Sequence, residues 1–204
     1  PVIEPGTRRQ DCGQITDGAV AVVLASDRFM QRYAARRGVK VNEFPQIHGW
    51  GHTNAGIRFL DKLERSKGEE YMFPHVRKAI TDAWRRAGID GVGSLDGIET
   101  HDCFTSTEYM AIDHFGLTPP GQSWQAIDSG LVEFDGRCPV NASGGLIGVG
   151  HPVGATGARL LLDAGRQVTG TAGDYQVAGA RTYGTLNIGG SLGTVVSFVV
   201  GLRD

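Results

Sequence analysis

The residues able to do chemistry fall into three clusters. The first is the run Asn141-Ala-Ser-Gly-Gly-Leu-Ile-Gly-Val-Gly-His151-Pro-Val-Gly-Ala-Thr-Gly157, in which glycines surround a single histidine. Glycine lets a backbone pass close to a ligand, and a helix N-terminus offers free N–H groups to a polarised oxygen. His151 is set in a turn ahead of Pro152. On spacing alone, a phosphate-cradling loop or a structural turn accounts for the run as well as a catalytic histidine does. It is neither GxGxxG after a strand nor GxxxxGK[ST], so dinucleotide and nucleotide binding fail on pattern.

The second cluster is His101-Asp102-Cys103-Phe104, between a strand end and a helix start. A thiol there feels the positive end of the helix dipole, which favours thiolate, and a neighbouring imidazole acts the same way. From these residues alone, Cys103 reads equally as a buried structural cysteine or a reactive one. His101 reads equally as structural or catalytic. The spacing of His101, Cys103 and His151 matches no common zinc pattern, so no metal is expected. The third cluster, Asn187-Ile-Gly-Gly-Ser-Leu-Gly193, is by itself a hairpin with loose turn chemistry.

Several elements must position these clusters. Ala19 to Ala25 (AVAVVLA) is a continuous apolar run, which predicts a strand buried on both faces. Ser26 or Asp27 caps a helix to Arg37, and Gly38 stops it. Val39 to His48 predicts a strand interrupted at Pro45, and Gly49 to Gly68 predicts a loop excursion. Pro74 opens a helix with Val76, Ala79, Ile80, Ala83, Trp84 and Ala87 on its apolar face, ended by Gly88. Leu95 to Thr100 is a short strand. Thr105 and Glu108 form a capping-box pattern for a helix to Phe115, followed by Gly116. A long loop spans Leu117 to Val140, and Ala155 to Thr169 is helical. Ala180 to Ile188 and Thr194 to Val200 are closing strands. The order β-α-β-α-β-α-β-β predicts a layered α/β domain.

Composition narrows the class. The 204 residues suffice for one domain with a substantial core. A formal charge of −2 gives no electrostatic basis for binding nucleic acid or a membrane surface. Three cysteines without CxxC spacing argue against a disulfide framework and fit reduced, cytoplasmic thiols. No run of apolar residues is long enough to span a bilayer. Pro1 to Gln10 reads as mid-chain linker, so the chain is expected to begin inside a larger fold.

The clusters in this order resemble the thiolases. Gly150-His151-Pro152 matches the family's Gly-His-Pro loop, and His101 to Phe104 matches the HDCF motif of its sterol-carrier-protein class, where other thiolases have Asn-Glu-Ala-Phe. Gly189 to Gly193 matches a Gly-rich hairpin near the family's C-terminus. Asp11 to Gly18 and the apolar run after it are similar to the end of the family's N-terminal half. The resemblance implies a thiolase-like α-β-α-β-α layering. Residues 1–26 would close the N-terminal half, and 27–204 would form the C-terminal domain with a mixed sheet and covering helices.

It also implies roles. His151 would activate the nucleophile and donate to the enolate oxygen. His101 would stand where the family's Asn holds a water in that oxyanion hole. Cys103 would be the acid/base thiol, and Gly189 would lend its N–H to a second hole. Cys12, Gly13, Phe104, Ser143 and Gly144 would contact the coenzyme-A thioester, which is substrate rather than cofactor. Asn187 stands where most thiolases carry a second cysteine, a departure that Cys103 offsets. The acyl-accepting cysteine belongs to the N-terminal half, and neither Cys12 nor Cys138 matches its motif. The implied partners are acyl-CoA or acetyl-CoA, that N-terminal half, and further copies in a homodimer or tetramer. Two other readings stay open: a thiolase-like retro-aldolase acting on β-hydroxyacyl thioesters, and a non-catalytic acyl-CoA or lipid-binding protein.

Overall fold

The computed structural model describes residues 2–4 and 6–203. Its centre is a four-stranded mixed sheet built from β3 (Pro45–Asn54), β4 (Gly97–Thr100), β5 (Thr182–Gly189) and β6 (Thr194–Leu202), in the order β3-β6-β5-β4. β6 runs antiparallel to both β3 and β5, whereas β4 and β5 are parallel. A small ribbon, β1 (Val2–Glu4) with β2 (Thr7–Arg8), occupies part of the stretch expected to be linker, of which Pro1 and Pro5 lie outside the described residues.

Seven α-helices lie among the described residues: α1 (Asp27–Arg37), α2 (Phe59–Arg65), α3 (Pro74–Ala87), α4 (Thr105–Phe115), α5 (Ser123–Asp128), α6 (Gly145–Val149) and α7 (Thr156–Thr169). Successive strand residues face opposite sides of a sheet. Leu186, Val195 and Val199 therefore meet Val76, Ala79, Ile80 and Ala83 of α3, together with Ala111 and Phe115 of α4. Tyr183 and Val200 face the other way, toward Ala164 and Val168 of α7. The result is an α/β domain with a mixed sheet covered on both faces, as the sequence predicts.

Helix limits follow the local chemistry. The Ser26 side chain accepts from Phe29 N at the start of α1, and α1 and α3 stop at Gly38 and Gly88, both left-handed. α4 begins as expected but without a capping box. Thr105 is its first residue, Phe104 is the N-cap, and Glu108 turns away to another partner.

Other expectations fail. Ala19 to Ala25 is not a strand: it pairs with nothing among the described residues, and Val23 and Leu24 are 90% and 74% exposed. An apolar run becomes a strand only where another strand takes its N–H and C=O groups. Gly49 to Gly68 is not a loop excursion, because its first six residues continue β3 along β6 and α2 follows. The predicted strand from Val39 starts only at Pro45, after a 3-10 turn at Val41–Glu43. Between Leu117 and Val140 lies α5, and residues 139–141 run beside β4, with Ile98 N donating to Pro139 O and Asn141 N donating to Ile98 O.

Candidate active site

The motifs meet at the C-terminal ends of the parallel pair β4 and β5, where open α/β sheets place their ligands. β4 leads directly into His101, whose N–H donates to Leu186 O of β5 at 2.9 Å. The Gly-rich loop lies across this edge, tied down by side chains. Asn141, at φ +54°, accepts from Thr100 N at 2.7 Å and donates to Glu108 Oε2 at 2.6 Å. Ser143 donates its hydroxyl to Glu99 Oε2 at 2.6 Å and its N–H to Oε1 at 3.1 Å. Asp102 Oδ1 accepts from Leu146 N at 2.6 Å. Sequence reasoning missed Glu99, Asp102, Glu108 and Asn141 as determinants of the site.

Residues 12–16 stitch the HDCF and Gly-His-Pro motifs together. Cys12 bridges Phe104, Gly13 N donates to Cys103 O at 2.8 Å, and His151 N donates to Gln14 O at 2.8 Å. Cys12 Sγ itself donates to Arg8 O at 3.6 Å. Gly150 brings the loop against this segment, since a Cβ there would press on the Thr16 side chain.

His151 is buried, and its Nδ1 lies 2.7 Å from Thr156 Oγ1. The Thr156 hydroxyl donates its single proton to Pro152 O at 3.1 Å, so His151 Nδ1 carries the hydrogen and donates. Nε2 is then the nitrogen left for chemistry. The His101 ring stands edge-on to it, centroids 5.1 Å apart. Burial, then repulsion from His151, pushes His101 down to about 4, so it is neutral at physiological pH. Burial lowers His151 as well, while the Asp102 carboxylate raises it. The Cys103 thiol is half-buried and 3.6 Å from Thr107 Oγ1. Burial pushes it up, and the Thr107 contact only partly offsets this. The expected thiolate preference at a helix start is outweighed by desolvation.

Cys103, His101 and Phe104 line a cavity of about 790 Å³ whose other walls include Met72, Met110 and Leu192. It follows one face of α4 from Thr107 to Asp113 and His114. His114 belongs to the wall as structure: its Nε2 accepts from Phe73 N, so Nδ1–H donates to Met110 O. His151, Ser143, Gly144 and Gly189 lie outside that lining. Gly144 is the left-handed N-cap of α6, and Gly189 ends β5 opposite Thr194. The hairpin beyond Gly189 is strained, with Ser191 at φ +51° and Leu192 at φ +64°. It is held there by His75 Nε2 on Leu192 O and by Ala55 N on Gly193 O. Among the described residues no cluster suits a metal ion, and no helix is long and apolar enough to cross a membrane.

A family model described as "Thiolase C-terminal domain-like" matches residues 59–202. An acetyl-CoA acetyltransferase of Methanothermobacter thermautotrophicus is 34% identical over 187 residues, 92% of this chain and 45% of that protein. Human sterol carrier protein 2 is 33% identical over 185 residues, 89% of this chain and 32% of that protein. Benzoylsuccinyl-CoA thiolase subunit BbsB of Thauera aromatica is 27% identical over 86% of this chain and 42% of its own length. The chain thus spans less than half of these relatives. Among solved structures, an Ltp2-ChsH2(DUF35) aldolase shares the fold, with a TM-score of 0.62 at 18% identity over 76% of this chain and 39% of that one.

Proposed function

This chain belongs to the thiolase family, and from that premise we propose that it supplies the acid–base half of a site that cleaves or forms the carbon–carbon bond of a 3-ketoacyl-CoA. The observation that carries the reading is Cys103 and His101 on the wall of an apolar cavity, with the His101 ring packed against His151. In cleavage, the thiolate of a cysteine in the N-terminal half adds to C3 of the 3-ketoacyl group; the C2–C3 bond then breaks and its electron pair passes to C2, giving the enolate of acetyl-CoA. Cys103 gives its thiol proton to that carbon, and coenzyme A then takes the acyl group from a cysteine of the N-terminal half. A thiol that burial keeps protonated is the ready form for this direction. His151 Nε2 first takes the proton of that cysteine and, once it carries it, donates to the enolate oxygen. His101 completes the hole, and Gly189 N–H serves the tetrahedral intermediate. Cys12, Gly13, Phe104, Ser143 and Gly144 border the thioester, with Ser143 and Gly144 acting through the loop they hold.

The cavity also indicates the acyl group. The α4 residues on its wall run from Ser106 to His114, eight steps or about 12 Å at 1.5 Å per residue. That length, with 790 Å³ and apolar walls, fits a long or ringed acyl group rather than acetyl. The test is thiolysis of 3-ketoacyl-CoA substrates of increasing acyl length by the chain co-expressed with its N-terminal half. Cys103→Ala is expected to lower carbon–carbon cleavage by about 10² to 10⁴ while acylation of the partner cysteine survives. Near-normal cleavage by the variant overturns the assignment of Cys103. Cleavage of β-hydroxyacyl-CoA with none of 3-ketoacyl-CoA would replace thiolysis by a retro-aldol reaction.

A further inference from the structure

Asp102 takes no part in the chemistry above, yet it is almost fully buried and both of its recorded side-chain hydrogen bonds reach the other motif. Oδ1 accepts from Leu146 N at 2.6 Å, and Oδ2 faces Ile147 N at a long 3.4 Å. These amides open α6, the single turn that runs into Gly150-His151. Gly145 makes room for the contact: it sits at φ +59°, and a Cβ there would overlap the carboxylate. The residue immediately before Cys103 is thereby fastened to the turn immediately before His151.

We propose that Asp102 is a positioning residue: its carboxylate, held against the amides of α6, fixes Cys103 relative to His151 and places a buried acid beside both. The proposal rests on the reading of Cys103 and His151 given above. Three features support it. The contact is local at both ends, one residue from the thiol and four to five from the imidazole, whereas Glu99 and Glu108 hold the loop only at Ser143 and Asn141. Burial raises the Asp102 carboxyl, while the Leu146 and Ile147 amides hold it down; its charge, when ionised, raises both His151 and Cys103 and so favours imidazolium over thiolate. Arg159 of α7 opposes it at His151. The remaining charged or titratable groups on the elements packed here are Glu99 and His101 at β4, Glu108 on α4 and Asp163 on α7. Among the described residues none of these bonds α6 through its side chain.

Two substitutions separate geometry from charge. Asp102→Asn removes the charge and keeps an oxygen for Leu146 N; Asp102→Ala removes both. The measurements use whichever soluble form is obtained, alone or with the N-terminal half. They are alkylation of Cys103 by iodoacetamide resolved by mass spectrometry, titration of His151 by NMR, and amide exchange at Leu146 and Ile147. In Asp102→Asn, alkylation near neutral pH is expected to rise, because removing the neighbouring charge enlarges the thiolate fraction. The His151 titration should move to lower pH. In Asp102→Ala the two amides should also exchange faster. If Asp102→Asn leaves both titrations at the parent values, the charge role is overturned. If Asp102→Ala leaves the amides as protected as in the parent, the positioning role is overturned. Should the alanine variant fail to fold, the asparagine variant alone decides the charge role, and Asp102→Ser, whose shorter side chain withdraws from Leu146 N, decides the geometry: Leu146 exchange as slow as in the parent overturns the positioning role. None of these readouts needs turnover, so failure of the thiolase reading through Cys103→Ala remains a separate result.

Discussion

Glu99 is fully buried and meets Ser143 through two hydrogen bonds. Burial raises its carboxyl from the ordinary 4.5 to about 7, against the opposing effect of the Ser143 bonds. Glu108 is raised to about 7 for the same leading reason. The native state therefore binds these protons more tightly than the unfolded chain does. Stability must fall as pH rises from about 4.5 to about 7, with no contribution below that window and the full penalty above it. Glu99→Gln removes one of the two groups and keeps an acceptor for Ser143. Its melting temperature should match the parent near pH 4.5 and exceed it above pH 7, with a residual fall from Glu108. Equal pH slopes for the two proteins would show that Glu99 is ionised at no cost. These acids were not legible in the sequence, because each ties to a partner 33 to 44 residues away and no local spacing marks such a pair. His101, Cys103 and His151 were picked out because they sit in contiguous motifs that resemble the thiolases' HDCF and Gly-His-Pro runs, and the structure packs the His101 ring against His151.

Elements with local punctuation were equally readable. α1 and α3 follow their cap residues, and β5 and β6 follow their apolar runs. β3 was not, because its glycines argue for a loop until the helix above it is known. A Cβ on Gly49 or Gly51 would overlap the carbonyl oxygens of Ala83 and Ala79, so α3 rests directly on the strand backbone. The small face Ala79-Ala83-Ala87 and these two glycines form one contact, split between segments about 30 residues apart. Gly51→Ala must push the helix off the sheet. Backbone cannot yield as a flexible side chain does, so the expected cost is about 3 kcal/mol, the upper end for overpacking. Gly56→Ala lies in the same glycine-containing stretch, meets nothing within 4 Å and should be near neutral. Thermal melts of the two variants check this, and equal melting temperatures would refute direct helix-on-strand contact.

At the scale of the whole molecule, the outstanding feature is apolar surface with no cover. Ile15, Val22, Val23 and Leu24 are all exposed, and a cavity of about 320 Å³ lies between Ala21–Leu24 and Leu161, Leu162 and Gly165 of α7. The run was predicted to be a strand from its composition, and its composition is that of a strand; only the partner backbone is missing among the described residues. Soluble monomers seldom leave contiguous apolar patches beyond a few hundred Å² in water. Unpaired N–H and C=O groups along an apolar segment also template aggregation. The chain expressed alone should therefore self-associate or bind a hydrophobic dye, and the amides of residues 19–25 should exchange without protection. Co-expression with an N-terminal thiolase half should abolish dye binding, protect those same amides and bring thiolysis of 3-ketoacyl-CoA with it. Light scattering, dye fluorescence and hydrogen exchange on the two preparations test each part. A stable monomer that binds no dye and cleaves the substrate unaided would refute the half-site reading, and the nucleophile would then have to be sought among Cys12, Cys103 and Cys138.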